Sequence, residues 1–251
     1  MIHHTLQPRS TLLSVKWMKT VARPLYVQVR EALIARIADG QWKAGRALPS
    51  EFALASELGV SQGTVRKALD DMAAEHLVER HQGRGTFVPE HTEARALFHF
   101  FKMRDHADQA ILPSMWSQTA ERVPVPEGLG GFQGVHRLWQ ITRIRAVADT
   151  PAMVEHVYIS PDDFPSLTAE TELPNALYAF YQSAAGISVT RAEDRLTAVG
   201  APPGVAEALG LSEGAPMLRV DRRAYDLRDQ VVEIRCSWFL TDQQAYAVTL
   251  R

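Results

Sequence analysis

Residues 58–69 have the sequence LGVSQGTVRKAL, and this stretch decides the fold of the N-terminal part of the chain. Gly59 suits the end of one helix, and Ser61 is a favourable N-cap for the next. From Ser61 to about His76, apolar residues recur at helical spacing and predict a helix. Two helices that meet at such a tight turn are typical of a helix-turn-helix. The predicted buried stripe of the second helix consists of Val65, Ala68, Leu69 and Met72.

Two helical segments are predicted upstream of Ser61, and the nearer one is the first helix of this helix-turn-helix. Residues 24–39 are amphipathic, and Gly40 suits the end of a helix there. A short helix is predicted over Glu51–Leu58, with Ser50 as its N-cap. The apolar stripe of the first helix consists of Leu25, Val29, Leu33 and Ile37, widened by Val27 and Ile34.

Two short extended runs complete this N-terminal unit. Residues 77–81 and 86–88 flank the glycine-rich turn 82–85, which predicts a β-hairpin. The order helix, helix, turn, helix and hairpin within about 65 residues predicts a winged helix-turn-helix.

A DNA-reading surface is predicted on the third helix and on the hairpin. Burial of the apolar stripe leaves Gly63, Arg66 and Lys67 on the outer face of the helix. Arginine and lysine can contact phosphate or guanine, and the Gln62 amide can pair with adenine. The free N–H groups of the helix N-terminus, next to Ser61, can bind a phosphate.

The hairpin tip extends the predicted DNA-reading surface. It is narrow, basic and rich in glycine, which suits a minor groove. A solvated helix face and an ordinary turn are the alternative, but helix and hairpin together at this spacing favour DNA binding. The predicted DNA-binding residues are Ser50, Ser61, Gln62, Gly63, Thr64, Arg66, Lys67, His81, Gln82 and Arg84.

Four motifs across residues 24–88 resemble the GntR family of bacterial regulators in order and spacing. They are LYVQV at 25–29, LPSE at 48–51, LGVSQGTVRKAL at 58–69 and QGRGTFV at 82–88. The resemblance implies a winged helix-turn-helix that binds operator DNA. Members of the family often have arginine where this chain has Phe52 and Gln62, and both positions tend to touch DNA there. We therefore expect an operator preference that differs from the usual one of the family.

The sequence after about residue 114 has a different character, with strands more numerous than helices. This pattern predicts an antiparallel α+β domain, against which the apolar residues 96–101 are expected to pack. The predicted strands cover 135–147, 152–159, 188–199, 217–225 and 231–240, and the predicted helices cover 171–185 and 203–210.

A candidate ligand site lies on two neighbouring predicted strands. Arg143 and Arg145 share one face of their strand with Trp139, Ile141 and Val147, because side chains alternate along a strand. An odd-length loop near Asp149 would bring Glu155 of the next strand onto the same face. Buried charge is unfavourable unless paired, so the trio could bind an anion through forked hydrogen bonds. A purely structural ion-pair network is the alternative.

This C-terminal part resembles the UTRA effector-binding domain of the HutC branch of the same family, over about residues 96–251. The layout Arg143-Ile144-Arg145, Asp149, Pro151, Glu155 and Tyr158 carries the resemblance. It implies a fold similar to chorismate lyase and a bound small metabolite, with Tyr178 and Glu233 among the pocket residues.

One departure from this branch bears on the ligand. Some members that bind phosphosugars have a serine-rich turn after the linker and a serine at the position of Ala176, whereas residues 98–102 of this chain are FHFFK. We therefore expect an anionic effector such as a carboxylate rather than a phosphosugar.

Composition excludes several classes of protein. The chain has 251 residues, of which 46% are hydrophobic and 22% charged, as in ordinary globular proteins of two domains. Its net charge of −2 means that DNA binding must rely on a local basic surface. The single cysteine, Cys236, excludes a disulfide within the chain, and no apolar run approaches the roughly 20 residues of a membrane span. We find no metal-site spacing, nucleophile elbow or phosphate-binding glycine loop, and expect no metal, cofactor or enzymatic activity.

The sequence thus predicts an α+β protein with a tail at 1–20, a winged helix-turn-helix at 21–89, a linker at 90–95 and an effector-binding and dimerisation domain at 96–251. The predicted function is that of a cytoplasmic, homodimeric transcription regulator. We expect a repressor whose affinity for operator DNA depends on a small metabolite, with activation as the alternative sign. Two other functions stay open, namely chorismate-lyase-like activity of the C-terminal domain and DNA binding that is independent of a ligand.

Overall fold

The computed structural model describes residues 23–92 and 101–249. The predicted tail at 1–20, the linker residues 93–95 and residues 96–100 of the apolar segment lie outside the described residues. Phe101, the last residue of that segment, packs against Met103, Met153 and Phe239 of the C-terminal domain, as predicted.

The N-terminal domain is the predicted winged helix-turn-helix. It consists of α1 (Leu25–Ala38), α2 (Glu51–Leu58), α3 (Gln62–Ala74), β1 (Glu79–His81) and β2 (Gly85–Phe87). Both predicted N-caps form, since the hydroxyl of Ser50 accepts a hydrogen bond from the backbone N–H of Ala53 and that of Ser61 from Thr64, each at 3.2 Å. Gly59 ends α2 in the left-handed conformation, with φ of 66°.

The core of this domain forms where α1 and α3 cross. The predicted stripe of α3 is buried as a whole, and it packs against Val29, Leu33 and Ile37 of α1. Leu25 was expected in the same stripe but is 51% exposed, because the buried stripe of α1 begins one turn later. The remaining core residues are Leu48, Leu54, Ala55, Leu77, Val78 and Val88.

The C-terminal domain is built on an antiparallel sheet of six strands in the order β4-β5-β6-β9-β8-β7. A short pair of strands, β3 and β10, lies beside it. The strands are β3 (Met103–Asp105), β4 (Ser114–Pro124), β5 (Arg137–Val147), β6 (Thr150–Ile159), β7 (Arg191–Gly200), β8 (Pro216–Tyr225), β9 (Val231–Phe239) and β10 (Gln244–Tyr246).

Two helices, α4 (Leu177–Ala185) and α5 (Pro203–Leu209), cover opposite faces of this sheet. Tyr178 and Tyr181 of α4 pack against Ile141 and Val157, on what we call the inner face. On the outer face, α5 packs against Val154, Met217 and Trp238. Within residues 23–92 and 101–249, every helix is too short or too polar to cross a bilayer.

The predicted helix over 171–185 is wrong for its first six residues, because α4 begins only at Leu177. Pro174 disfavours helical backbone at the residue before it. In addition, the carbonyls of Pro174 and Asn175 accept hydrogen bonds from Arg143, so this segment runs as a loop over the inner face.

Candidate functional site

The predicted DNA-binding residues lie at the N-termini of α2 and α3 and on the hairpin, which we call the candidate DNA-binding surface. All are exposed except Thr64, which is half-buried and shares a hydrogen bond of 2.9 Å with the hydroxyl of Ser61. Phe52 projects from the start of α2 and is 74% exposed. An exposed phenyl group at this position can make apolar contact with a base.

Glu51 connects α2, α3 and the hairpin, and it was not among the residues predicted from the sequence to bind DNA. Its carboxylate accepts hydrogen bonds from Gln62 Nε2 at 3.3 Å, from Arg66 Nε at 2.9 Å and from Arg80 Nη2 at 3.0 Å. The hydrogen bond from Arg66 is the main cause that lowers the pKa of Glu51. The one sequence feature that could have indicated a role for Glu51 is its place directly after the Ser50 N-cap, which puts its side chain at the start of α2.

The hairpin tip is supported by an aromatic ring. His81 lies edge-on to Phe87 at 5.0 Å between ring centroids, and the Arg84 guanidinium lies 5.7 Å from the Phe87 centroid. Gly83 has φ of 71°, in the left-handed region that the turn between β1 and β2 requires. The hairpin therefore presents His81, Gln82 and Arg84 at a narrow end of the domain.

The second candidate site lies on the inner face of the sheet, where a bulge sets the register. The turn between β5 and β6 has two residues, Ala148 and Asp149, both with positive φ, so the expected odd-length loop is wrong. A two-residue turn alone would place Glu155 on the opposite face from Arg143. Ala152, however, is an extra residue between the pairs Ala146–Pro151 and Arg145–Met153. Glu155 therefore lies directly opposite Arg143, on the face that the sequence predicted.

These three charged side chains are almost completely buried. Arg143 is 0%, Arg145 1% and Glu155 1% exposed. Their closest mutual approaches, from Nη1 of each arginine to Glu155 Oε2, are 3.9 Å for Arg143 and 3.7 Å for Arg145. These contacts are ion pairs without hydrogen bonds, so the acceptors for the guanidinium N–H groups lie elsewhere.

Loops over the inner face supply those acceptors. Nη2 of Arg143 donates to the carbonyls of Pro174 at 3.1 Å and Asn175 at 2.9 Å. Nη2 of Arg145 donates to the Pro113 carbonyl at 3.2 Å and to Asn175 Oδ1 at 2.8 Å. Among residues 23–92 and 101–249, Nε and Nη1 of Arg143 and Nε of Arg145 have no hydrogen-bond acceptor.

Arg235 of β9 joins Glu155 to Glu233, and it was not among the site residues predicted from the sequence. It donates to Glu155 Oε1 at 3.2 Å and, through Nε and Nη2, to Glu233 at 3.0 and 2.8 Å. Tyr178 and Tyr181 of α4 donate to Glu233 at 3.1 and 2.6 Å. The spacing of two residues between Glu233 and Arg235 could have indicated it, because such residues share a face of a strand. We call Arg143, Arg145, Glu155, Glu233 and Arg235 the inner-face charge cluster.

The cluster shifts the pKa values of its members. Burial lowers the pKa of Arg143 to about 10, although Glu155 opposes that effect. Burial alone would raise the pKa of Glu155, but Arg235, Arg145 and Arg143 together lower it to about 2. Glu155 is therefore ionised at neutral pH despite its burial. Tyr158, which carried part of the UTRA resemblance, packs on the outer face with Leu138 and Ile234 and lies apart from the cluster.

Comparison with known proteins finds a family model that matches each of the two domains. Residues 118–245, just over half of the chain, match the model of the UTRA domain, and residues 25–88 match the model of the gntR family of bacterial regulatory proteins. The chain belongs to the GntR family. It is a transcription regulator that combines the winged helix-turn-helix of this family with a UTRA domain, as the motifs predicted.

Relatives of this GntR-family chain extend over most of its length. It is 27% identical over 216 residues to the HTH-type transcriptional regulator SmoD of Agrobacterium fabrum, covering 86% of this chain and 92% of SmoD. It is 28% identical over 220 residues to the histidine utilization repressor of Pseudomonas putida, covering 84% and 86% of the two chains. Among solved structures, the ligand-binding domain of a protein assigned to the GntR family from Bordetella bronchiseptica superposes with a TM-score of 0.53 at 26% identity, over 61% of this chain and 98% of that one.

The two domains of this GntR-family regulator touch through α4 and the turn between β8 and β9. Leu227 of that turn packs against the core of the winged domain, and Arg228 forms an ion pair with Asp39 at the end of α1. The Gln182 side chain of α4 accepts from the backbone N–H of His91 at 2.8 Å and donates to the Pro89 carbonyl at 3.2 Å. The first residues of the predicted linker are therefore held by the same helix that contacts the inner-face charge cluster.

Proposed function

We propose that this regulator is a repressor whose operator affinity is controlled by a small anionic metabolite, bound at Arg143 and Arg145. Glu155, Tyr178 and Glu233 complete the proposed site. The DNA contacts are assigned to the exposed surface of α2, α3 and the hairpin. Repression relieved by the metabolite is the proposed sign of the response.

The observation that carries this proposal is an imbalance of buried charge. Within the described part of the chain, the inner-face charge cluster contains three guanidinium groups and two carboxylates. Arg222 beside it adds no net charge, since it pairs with Asp194 through hydrogen bonds of 2.6 and 2.7 Å. A buried positive charge without a counterion is unfavourable, and a bound anion would remove that penalty.

The size of the imbalance and the free donors support a carboxylate as the class of anion. One surplus positive charge matches one carboxylate, whereas a phosphate dianion would leave a surplus of negative charge. Nε and Nη1 of Arg143 and Nε of Arg145 are donors without an acceptor among the described residues. A carboxylate has two oxygens that can accept such forked, charge-assisted hydrogen bonds.

The same contacts suggest how the ligand would change DNA binding. Tyr178 and Tyr181 tie α4 to Glu233, and Gln182 is the next residue of that helix. A ligand that alters the balance of charge around Glu233 would favour one position of α4 over another. Because Gln182 holds the backbone at Pro89 and His91, a shift of α4 would change the placement of the winged domain. Coupling of this kind typically amounts to about 1–3 kcal/mol.

We further propose a cytoplasmic homodimer with domain boundaries as predicted from the sequence, at 21–89, 90–95 and 96–251. One winged helix-turn-helix covers a single half-site, and a dimer covers the paired half-sites of an operator. The C-terminal domain is the proposed dimerisation unit.

The test is a thermal-shift screen with carboxylate metabolites, each paired with its uncharged amide and with a phosphate ester of similar size. A ligand that binds only the folded state raises its stability, by about 2.7 kcal/mol at 100 times its dissociation constant. We expect stabilisation by a carboxylate and not by its amide. Arg143→Met and Arg145→Met should abolish the response while ligand-free DNA binding persists.

Arg219→Met is the matched control for these variants. Arg219 is also paired with a carboxylate, Asp221 at 2.8 Å, but it lies on the outer face of the sheet. The Arg219→Met variant should respond to the ligand like the parent protein. If the Arg143 and Arg145 variants also respond like the parent, the ligand binds elsewhere and the cluster is only structural.

A further inference from the structure

Glu51 occupies a central position on the surface assigned to DNA, between the third helix and the hairpin. It is the first residue of α2, and its side chain is 19% exposed. Its Oε2 atom accepts from Arg66, and its Oε1 atom accepts from Arg80 of β1. A side chain of α2 thus fixes residues of two other elements of the domain.

The geometry of the Arg66 contact leaves one edge of the guanidinium free. Nε and Nη2 of Arg66 both lie 2.9 Å from Glu51 Oε2, so the carboxylate occupies the edge formed by these two nitrogens. The other edge, formed by Nη1 and Nη2, is the one that can bind the O6 and N7 atoms of a guanine in parallel. The Arg66 side chain is 57% exposed, which leaves this edge accessible.

Arg80 holds the carboxylate from the opposite side. Its Nη2 atom lies 3.0 Å from Glu51 Oε1, 3.1 Å from Asp70 Oδ1 and 3.4 Å from the backbone carbonyl of Arg66. Both oxygens of Glu51 therefore have partners, and the side chain has little freedom to rotate. The lowered pKa of Glu51, caused first by the hydrogen bond from Arg66, keeps it ionised at neutral pH.

We propose that Glu51 is a positioning residue for base recognition, which orients the Arg66 guanidinium so that Arg66 discriminates among bases. The proposal rests on the assignment of α3 as the DNA-reading helix. A long arginine side chain that is free to rotate can reach phosphates of any sequence, and phosphate contacts carry no direct sequence information. Fixing the side chain before binding reduces the entropy lost on forming the base contact.

The experiment measures affinity for two DNA duplexes, one selected from a random pool by the parent protein and one with a scrambled sequence. Glu51→Gln removes the charge and keeps the shape of the side chain. Glu57→Gln is the matched control, because Glu57 lies on the same helix and pairs with Arg36 at 2.7 Å, away from α3. Both variants lose one negative charge, so a general electrostatic gain in DNA affinity appears in both.

We expect the ratio of selected to scrambled affinity to fall at least about fivefold in Glu51→Gln, since one bidentate base contact contributes roughly 5- to 150-fold of discrimination. Glu57→Gln should keep the ratio of the parent. In an Arg66→Ala background, Glu51→Gln should change the ratio no further, which separates positioning of Arg66 from a merely structural role. Circular dichroism and thermal unfolding establish that each variant is folded, and Glu51→Asp provides a second variant if Glu51→Gln does not fold.

Two outcomes would overturn the inference, and only the second would also overturn the assignment of α3 as the DNA-reading helix. If Arg66→Ala lowers the ratio but Glu51→Gln does not, Arg66 reads the base without help from Glu51 and the DNA-reading face stands. If Arg66→Ala leaves the ratio unchanged, the assignment of α3 itself fails, and the role of Glu51 fails with it.

Discussion

Replacement of Glu155 by glutamine tests the inner-face charge cluster most directly. Glutamine has nearly the same shape as the protonated carboxyl, so the variant removes the negative charge and little else. Three guanidiniums would then face the single carboxylate of Glu233. The folded protein should become less stable, and the loss should depend on pH in a defined way.

The pKa of Glu155 gives the size of the effect. It falls from the ordinary value of 4.5 to about 2 because Arg235, Arg145 and Arg143 outweigh the effect of burial. Since one pKa unit corresponds to about 1.4 kcal/mol, the ionised carboxylate contributes about 3 kcal/mol to folding stability at neutral pH. A folded-state pKa below the unfolded value means that this contribution is complete above about pH 4.5 and is lost as the pH falls through about 2.

The assay is urea unfolding of the parent and of Glu155→Gln, followed by tryptophan fluorescence, because Trp139 is buried on the inner face. We expect a difference of about 3 kcal/mol at pH 7 that shrinks to less than half near pH 3. Glu57→Gln, which removes a half-exposed carboxylate from the winged domain, should differ from the parent by less than about 1 kcal/mol. A small difference for Glu155→Gln, or one independent of pH, would refute the electrostatic account of this cluster.

Further predictions concern DNA binding, coupling and assembly. Arg66→Ala should weaken operator binding by roughly 1–3 kcal/mol, and unchanged binding in a titration would exclude α3 as the DNA-reading helix. Phe52→Arg should change the sequence that the protein selects from a random pool of duplexes, because this exposed side chain lies at the start of α2; selection of the same sequence would place it outside the interface. Gln182→Leu should bind the effector normally but lose at least part of the coupling of about 1–3 kcal/mol between effector and operator, and a full response would mean that the linker contact is not the route. Sedimentation at micromolar concentration should give a dimer, and a monomer would contradict the proposed assembly.

The ends of the helices in the winged domain were predicted correctly, because their signals lie within a few residues along the chain. The N-caps at Ser50 and Ser61 and the glycine stop at Gly59 formed as predicted, because capping involves only adjacent backbone and side-chain groups. The prediction was wrong for residues 171–176, which were included in the helix that contains the apolar residues Leu177, Tyr178 and Tyr181. There, hydrogen bonds from Arg143, more than 30 residues away in sequence, stabilise a loop instead.

In the candidate sites, too, local spacing along the chain predicted some features, and folding alone produced the others. The alternation of side chains on a strand established from sequence that Arg143 and Arg145 share a face, and helical spacing established which face of α3 is exposed. The sequence did not reveal Glu51 as the link between α3 and the hairpin. Its partners Arg66 and Arg80 lie 15 and 29 residues away, and only folding brings them together.

The sequence by itself therefore determined the order of elements in the winged helix-turn-helix and the family of this protein, because these depend on local patterns and contiguous motifs. It did not predict β3, β4 or β10 of the C-terminal domain. The tertiary structure alone decided the register at Ala152, the role of Arg235 and the imbalance of charge around Glu155. Arg235 and Glu155 are 80 residues apart in sequence, and no local pattern encodes their contact. The physical reason is that a one-residue bulge reverses the face of every following side chain, so that charge pairing on a sheet is fixed only when the strands have paired.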